Sequence, residues 1–307
     1  MRARSPDTHG HLELDGARIA YEVHGSGEPT VLLLPTWTII HTRFWKMQVP
    51  YLARHCRVVT YDSPGNGASD RPLDPEAYGV AAHLRYTAAV LDAVAAEAAV
   101  LVGLSQGAQY AVSFAGEHPE RVLGIAMIGP ALALEPEAAG ERSKFIWSHF
   151  EEPYPPQTPS GVPLGRPDPP DWWKYNRHYW LDDVGDFAWF FFGQALPELH
   201  STKPIEDCVA WTLETSGEIL GAEYDSPMPE RARFREWAAR ITCPVTVIHG
   251  TDDRIVPFEV GRMLAEATHG RLVTLDGAGH LPLVRDPVRI NLVVKDFVDR
   301  IARTVGV

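Results

Sequence analysis

The 307-residue chain has few cysteines and no long apolar run. Its three cysteines, Cys56, Cys208 and Cys243, are too few for a disulfide framework and lack metal-ligand spacing, so we interpret them as small packing residues. No apolar stretch approaches the roughly 18 residues that span a bilayer. The N-terminal stretch MRARSPDTHGHLELDG carries positive charge without an apolar segment behind it, which is not typical of a secretory signal. These features favour a cytoplasmic protein.

Positive charge is also scarce, with 28 Lys and Arg against 40 Asp and Glu and a formal net charge of −12. That balance argues against nucleic acid or an anionic membrane as a partner. Zinc-ligand spacing and a G-x-G-x-x-G stretch after a strand are both missing, and the stretch 65–67, Gly-Asn-Gly, is too short to cradle a phosphate. We therefore expect no cofactor and no metal. The expected partner is a small-molecule substrate, and a homodimer is left open.

Short apolar runs alternate with helical patterns along most of the chain. Two short strands are predicted at 11–15 and 17–23, and buried strands at 31–34, 58–61, 98–102, 123–128, 245–248 and 272–275. Helices are predicted at 43–54, 79–96, 107–117, 257–267 and 286–303. Strands that alternate with helices predict an α/β fold with a mostly parallel, doubly wound sheet.

The alternation stops in the middle of the chain. Eight prolines fall within 153–170, which excludes a regular helix or a central strand there and favours an ordered crossing over the surface. The block that follows is rich in Trp, Tyr and Phe. We predict an inserted, largely helical cap over 130–240, on a core formed by 1–129 and 241–307.

The stretch GLSQG at 103–107 stands where a buried strand ends and a helix begins. Gly and Ser are ordinary turn residues, so a simple turn is the alternative interpretation. In a strand–turn–helix context, however, G-x-S-x-G is typical of a nucleophile elbow, which lifts the hydroxyl of Ser105 clear of the sheet edge. The amide of Gln106 would then face a developing oxyanion at the helix N-terminus.

A serine hydroxyl needs a base, and two further motifs supply candidates. The stretch GAGHLP at 277–282 follows one predicted strand and contains His280. The stretch HGTDDRIVP at 249–257 follows another and contains Asp252 and Asp253. A serine, an acid and a histidine thus follow three strand ends in the order expected of one hydrolase arrangement.

Together with the loop DSPGNGAS at 62–69, these motifs resemble the α/β-hydrolase superfamily, specifically its capped serine-hydrolase branch. The resemblance covers nearly the whole chain outside 130–240. It implies that Ser105 is the nucleophile, His280 the general base and Asp253 the orienting acid. Asp252 is the competing choice for the acid, with loop or helix capping as its alternative role.

The chain departs from this family at the predicted oxyanion hole. The usual His-Gly pair after the third strand is replaced by Pro35 and Thr36, followed by Trp37. By position, the Trp37 amide should be the second oxyanion donor, beside that of Gln106. Because Thr36 carries a Cβ, the hole could be shifted or supplemented by a side chain, and His41 or Arg43 could reach it. The alternative interpretation is that both residues lie at the surface or at the start of a helix.

The leading hypothesis is a cofactor-free serine hydrolase, similar to carboxylic ester hydrolases, that works through an acyl-enzyme. The aromatic residues of the predicted cap favour a small apolar or aromatic substrate. An acyltransferase with the same triad is one alternative. A ligand-binding protein without chemistry, built on the same fold, is the other.

Overall fold

A computed structural model describes residues 4–154 and 171–306 of the chain. Most of the proline-rich stretch, and with it the predicted crossing over the surface, lies outside the described residues. Within these residues, strands that are far apart in the sequence pair with each other. This pairing brings motifs from the two halves of the chain side by side.

The centre of the fold is an eight-stranded sheet. Its strands are β1 (Thr8–Leu14), β2 (Ala17–His24), β3 (Thr30–Leu33), β4 (Arg57–Tyr61), β5 (Ala99–Leu104), β6 (Val122–Ile128), β7 (Val245–Gly250) and β8 (Arg271–Leu275). They lie in the order β1-β2-β4-β3-β5-β6-β7-β8. Only β1 with β2 and β2 with β4 pair antiparallel, and the other neighbours are parallel. The predicted fold class is confirmed.

Helices cover both faces of the sheet. They are α1 (Val49–Leu52), α2 (Val80–Ala93), α3 (Gly107–Glu117), α4 (Gly140–His149), α5 (Arg177–Ala195), α6 (Lys203–Thr212), α7 (Gly217–Tyr224), α8 (Arg231–Arg240), α9 (Phe258–Ala267), α10 (Pro282–Arg285) and α11 (Pro287–Val305). Two large apolar clusters form, one on each face, because the central strands are buried on both sides. None of the helices in the described ranges is both long and apolar enough to cross a bilayer.

Several predicted elements differ from the structure in their bounds. The strand predicted at 11–15 begins at Thr8, and the helix predicted at 79–96 ends at Ala93. The helix predicted at 43–54 is a 3₁₀ helix, Thr42–Met47, followed by the single turn α1. Pro50 in the first turn of α1 lacks an amide proton, so it can begin a helix but not continue one. The helix predicted at 286–303 is preceded by the separate turn α10 and runs to Val305. The strand predicted at 98–102 continues to Leu104.

Among the described residues, five helices, α4 to α8, lie between the neighbouring strands β6 and β7. The last of them, α8, packs against α3, which is one of the helices that cover the sheet. A Cβ at Gly116 of α3 would lie 2.6 Å from Cβ of Trp237 in α8. We call α4 to α7 the cap helices. Aromatic side chains from three of them, α4, α5 and α7, line the cavity described below. The predicted cap boundary at 130–240 stays a prediction.

Candidate active site

Ser105 occupies a strained position between β5 and α3. Its φ of +53° lies in the left-handed region, which non-glycine residues rarely adopt. The amide of Ser105 donates to the Ile128 carbonyl (2.9 Å), and its own carbonyl accepts from the Ala131 amide (3.0 Å). These bonds to the end of β6 hold the strained residue in place.

The glycines that flank Ser105 make this tight turn possible. A Cβ at Gly103 would lie 2.5 Å from the carbonyl oxygen of Gly107, and one at Gly107 would lie 2.6 Å from that of Pro35. No side chain fits at either position without moving backbone. The second contact also brings the 35–37 segment against the start of α3.

His280 and Asp253 form a direct pair. The Nδ1 of His280 lies 2.8 Å from Oδ2 of Asp253, and both side chains are almost fully buried. Burial alone would raise the pKa of Asp253, but the charge of His280 and hydrogen bonds from two histidines outweigh it and hold that pKa below its usual range. Asp252 is exposed, and within the described residues its carboxylate accepts only from the Thr251 hydroxyl (3.3 Å). The geometry therefore places Asp253, and not Asp252, beside the histidine.

A second histidine, His249, shares the carboxylate of Asp253. Its Nε2 lies 3.1 Å from Asp253 Oδ2 and 3.2 Å from the Val256 carbonyl oxygen, and its side chain is fully buried. No role was assigned to His249 from the sequence, so this contact was missed. Its place four residues before Asp253 was the available signal.

The ends of four neighbouring strands bring these groups to one edge of the sheet. Ser105 follows β5, Gly129 follows β6, Asp253 follows β7 and His280 follows β8. A Cβ at Gly129 would lie 3.1 Å from His280 Nδ1 and 3.3 Å from Asp253 Oδ2, so the chain after β6 passes directly beside the pair. In the described part of the structure, no hydrogen bond joins Ser105 Oγ to the ring of His280. Such bonds often form fully only when substrate is bound.

Ser105 opens into a cavity of about 640 Å³ between the sheet edge and the cap helices. That size suits a small-molecule ligand. Seven of the described lining residues are aromatic: Trp37, Trp147, Trp172, Tyr175, Trp180, Phe191 and Tyr224. The polar ones are Ser105, Gln106, Gln109, Arg142, Ser143 and Glu223.

Both predicted oxyanion donors line this cavity. The amides of Trp37 and Gln106 donate to no protein acceptor in the part of the chain that the structure describes. The Trp37 ring packs against four aromatic side chains of the cap region, with centroids 5.2 to 6.0 Å away. Thr36 is buried, does not line the cavity among the described residues, and its hydroxyl has no partner there.

The structure places His41 and Arg43 away from this cavity. His41 caps the 3₁₀ helix Thr42–Met47, and its ring lies edge-on to Trp211 with centroids 5.6 Å apart. It lines a separate, smaller cavity together with Arg43 and Asp62. The structure therefore does not bring His41 and Arg43 to Ser105. Both lie at the start of the 3₁₀ helix, which was the alternative interpretation of these residues.

Two cap residues in the cavity were missed by the sequence reading. Arg142, from α4, donates to the Ile255 carbonyl and lies over the Trp172 ring, 4.8 Å from its centroid. Glu223, from α7, is buried and accepts from the Thr38 amide and the Gln106 side chain. The signal for Glu223 was an acid within the apolar face of a short helix. In the described ranges no three His, Cys, Asp or Glu side chains are grouped to hold a metal ion.

Comparison with known proteins identifies the family. A family model described as the alpha/beta hydrolase fold matches residues 29–287, which include every strand from β3 onward. The chain belongs to the α/β-hydrolase family. The resemblance stated from the sequence motifs is thereby confirmed.

Relatives of this α/β-hydrolase include several enzymes. It is 26% identical over 283 residues to a 2-hydroxymuconate semialdehyde hydrolase of Pseudomonas sp. (strain CF600), with 90% of this chain and 84% of the relative covered. Its fold is similar to an esterase from Rhodococcus sp. ECU1013 (TM-score 0.72, 23% identity, 94% and 97% of the chains covered). It is also similar to an enol-lactonase from Burkholderia xenovorans LB400 (TM-score 0.70, 20% identity, 94% and 100% covered).

Proposed function

We propose that this α/β-hydrolase is a serine hydrolase that cleaves an ester or related acyl bond of a small apolar or aromatic substrate. Ser105 is the nucleophile, His280 the general base and Asp253 the acid that orients the histidine. The observation that carries the proposal is Ser105 itself. A serine held at φ +53° by backbone bonds, at the wall of a cavity, is costly to fold and typical of a nucleophile.

The chemistry follows from the groups at the sheet edge. His280 removes the proton of Ser105 as Oγ attacks the substrate carbonyl, and the Trp37 and Gln106 amides donate to the oxyanion that forms. The intermediate collapses, and His280 protonates the departing alcohol. Water, activated by His280, then attacks the acyl-enzyme and releases the acid, which leaves Ser105 free again. Asp253 stabilises the imidazolium of both steps.

The cavity supports the substrate class. Aromatic and aliphatic side chains together form most of its lining, so burial of an apolar acyl or alcohol group is favoured by roughly 25 cal/mol per Å² of surface removed from water. The names of the relatives fit this proposal, since they include a hydrolase, an esterase and an enol-lactonase.

The test uses a panel of p-nitrophenyl and thioester substrates with acyl chains of increasing size. We expect Ser105→Ala to lower kcat by at least about a thousandfold without changing the melting temperature. A fluorophosphonate probe should label Ser105 in the wild type and nothing in the variant. Near-native activity of Ser105→Ala would overturn the proposal.

The same panel separates the two alternatives. Mass spectrometry after addition of alcohols or amines shows whether the acyl group passes to them in preference to water, which would favour an acyltransferase. Tight ligand binding without turnover or labelling would favour a binding protein.

A further inference from the structure

Glu223 is a carboxylate of the cap that contacts the sheet edge beside Ser105. Its Oε2 accepts from the amide of Thr38 (3.1 Å), and its Oε1 accepts from Nε2 of Gln106 (3.1 Å). The side chain lines the cavity and Glu223 is only 5% exposed. No cation contacts Glu223 in the described ranges 4–154 and 171–306.

These two contacts join the segments that carry the predicted oxyanion donors. Thr38 directly follows Trp37, and Gln106 provides the other donor amide from its own backbone. The two segments are otherwise in contact through Gly107 and Pro35, where no side chain intervenes. A carboxylate that holds both segments restricts how far the two amides can move apart.

We propose that Glu223 is a cap-borne positioning residue that holds the Trp37 and Gln106 segments in the geometry needed to stabilise the oxyanion. The inference rests on the proposed function, since it assigns a role within that same site. Glu223 itself touches no reacting atom in this assignment. It acts through the two segments, and it does so only while the cap helices are docked.

The role depends on the charge of Glu223. Both contacts use its oxygens as acceptors, and an ionised carboxylate accepts two hydrogen bonds better than a neutral acid does. Burial raises the pKa of Glu223 to about 7, although the hydrogen bonds from Thr38 and Gln106 oppose that change. The bridge is therefore strongest above neutral pH and weakens as the pH falls below about 7.

The groups that face Glu223 do not change charge in this range. Tyr78, Tyr110 and Tyr175, from three different segments, lie close enough to feel the charge of Glu223. Burial raises the pKa of each hydroxyl, so all three stay neutral. Arg142 shares the cavity from α4 and stays charged throughout the range. A pH effect that Glu223→Gln abolishes is thus attributable to Glu223.

The experiment compares Glu223→Gln with Glu218→Gln, a matched control on the exposed side of the same helix. Active-site titration with a fluorophosphonate normalises kcat to folded, competent enzyme. At about pH 8.5 we expect Glu223→Gln to lower kcat by roughly 10- to 100-fold with little change in KM, since misplaced donors weaken only the transition state. Glu218→Gln should match the wild type.

The decisive readout is the ratio of wild-type to Glu223→Gln kcat as a function of pH. Both proteins keep Ser105, His280 and Asp253, so any pH dependence that they share cancels from the ratio. The ratio should approach 1 at about pH 5.5 and rise to its full value above about pH 8, as Glu223 ionises. A ratio that stays constant with pH, or equal kcat values at every pH, would overturn the inference.

Failure of this inference is distinguishable from failure of the proposed function. If Ser105→Ala is inactive and Ser105 is labelled, but the ratio is flat, only the role of Glu223 is wrong. If Ser105 is neither labelled nor needed for turnover, the proposed function falls and the role of Glu223 falls with it.

Discussion

The Nε2 atom of His249 lies 3.1 Å from Oδ2 of Asp253. The same oxygen accepts from His280, and the other oxygen of Asp253 accepts from the amides of Ile255 and Val256 (2.8 Å each). Since both neighbours of His249 Nε2 are acceptors, this nitrogen carries the proton. His249 therefore acts as a donor that holds the carboxylate ionised and fixed.

We expect His249→Leu to lower kcat/KM by roughly tenfold or more, because a hydrogen bond to a charged group contributes about 1.5–3 kcal/mol. His249→Gln keeps a donor on a side chain of similar reach and should recover most of the loss. Steady-state kinetics on the best ester of the panel measure both. Equal activity of the Leu variant and the wild type would show that Asp253 needs no second donor.

Asp253→Asn should be far more damaging than Asp252→Asn. An amide cannot stabilise the imidazolium of His280, and loss of that charge typically costs about four orders of magnitude in kcat. Asp252 is exposed and its carboxylate does not contact His280, so its amide variant should behave as wild type. The reverse ranking would transfer the acid role to Asp252.

The buried Glu223 should also affect stability in a pH-dependent way. Its pKa is raised to about 7 in the folded protein and is near 4.3 in the unfolded chain, so the folded state retains a proton that the unfolded state has lost. Stability from this group is present at low pH and is lost as the pH rises through about 7.

Relative to the wild type, Glu223→Gln should therefore gain free energy of unfolding between about pH 5 and pH 8, by an amount on the order of 2–3 kcal/mol. Urea denaturation at both pH values measures it. Glu218→Gln, on the exposed side of α7, should show no comparable trend. A difference between Glu223→Gln and wild type that is the same at both pH values would contradict the raised pKa.

Trp37 has two proposed roles, since its amide is an oxyanion donor and its ring packs against the cap region. Two different substitutions test these roles separately. Trp37→Ala keeps the amide but removes the ring from its four aromatic neighbours, so it should cost roughly 3–5 kcal/mol of stability and raise KM. Trp37→Pro removes the amide and should lower kcat by about a hundredfold or more per titrated site.

His41→Ala is the control for this experiment, because the structure places His41 outside the cavity. It should leave kcat nearly unchanged. If Trp37→Pro does not fold, a crystal structure with a covalent phosphonate on Ser105 decides the question. The phosphoryl oxygen should lie within about 3.2 Å of the Trp37 and Gln106 amide nitrogens, and contact with the His41 ring instead would contradict the backbone model.

The elbow glycines should tolerate no side chain. Gly107→Ala would place its Cβ 2.6 Å from the Pro35 carbonyl oxygen, so it should push the 35–37 segment away and reduce both kcat and the melting temperature. Gly193→Ala in α5 is the matched control, since nothing lies within 4 Å of a Cβ there. That variant should gain stability by roughly 0.5–1 kcal/mol, as alanine favours a helix over glycine.

The mostly parallel sheet around the site was predictable from the sequence alone. Runs of Val, Leu and Ile indicate strands buried on both faces, and parallel strands bring their carboxyl ends to one edge. Ser105, Asp253 and His280 follow three such strands, and the resemblance of their short motifs to the α/β-hydrolase superfamily implied that they share one site. The tight turn at Ser105 was also predictable, because Gly103 and Gly107, which permit it, flank Ser105 in the sequence.

Only the tertiary structure decided which side chains meet across long distances in the chain. Glu223 and Thr38 are 185 residues apart, and Gln106 and Glu223 are 117 apart, so no local pattern marks either contact. His41 lies only four residues after Trp37, yet the 3₁₀ helix that follows turns it toward another cavity. Short sequence motifs reflect local backbone preferences. The lining of the cavity depends instead on how the cap helices pack on the sheet, and that packing results from many weak contacts.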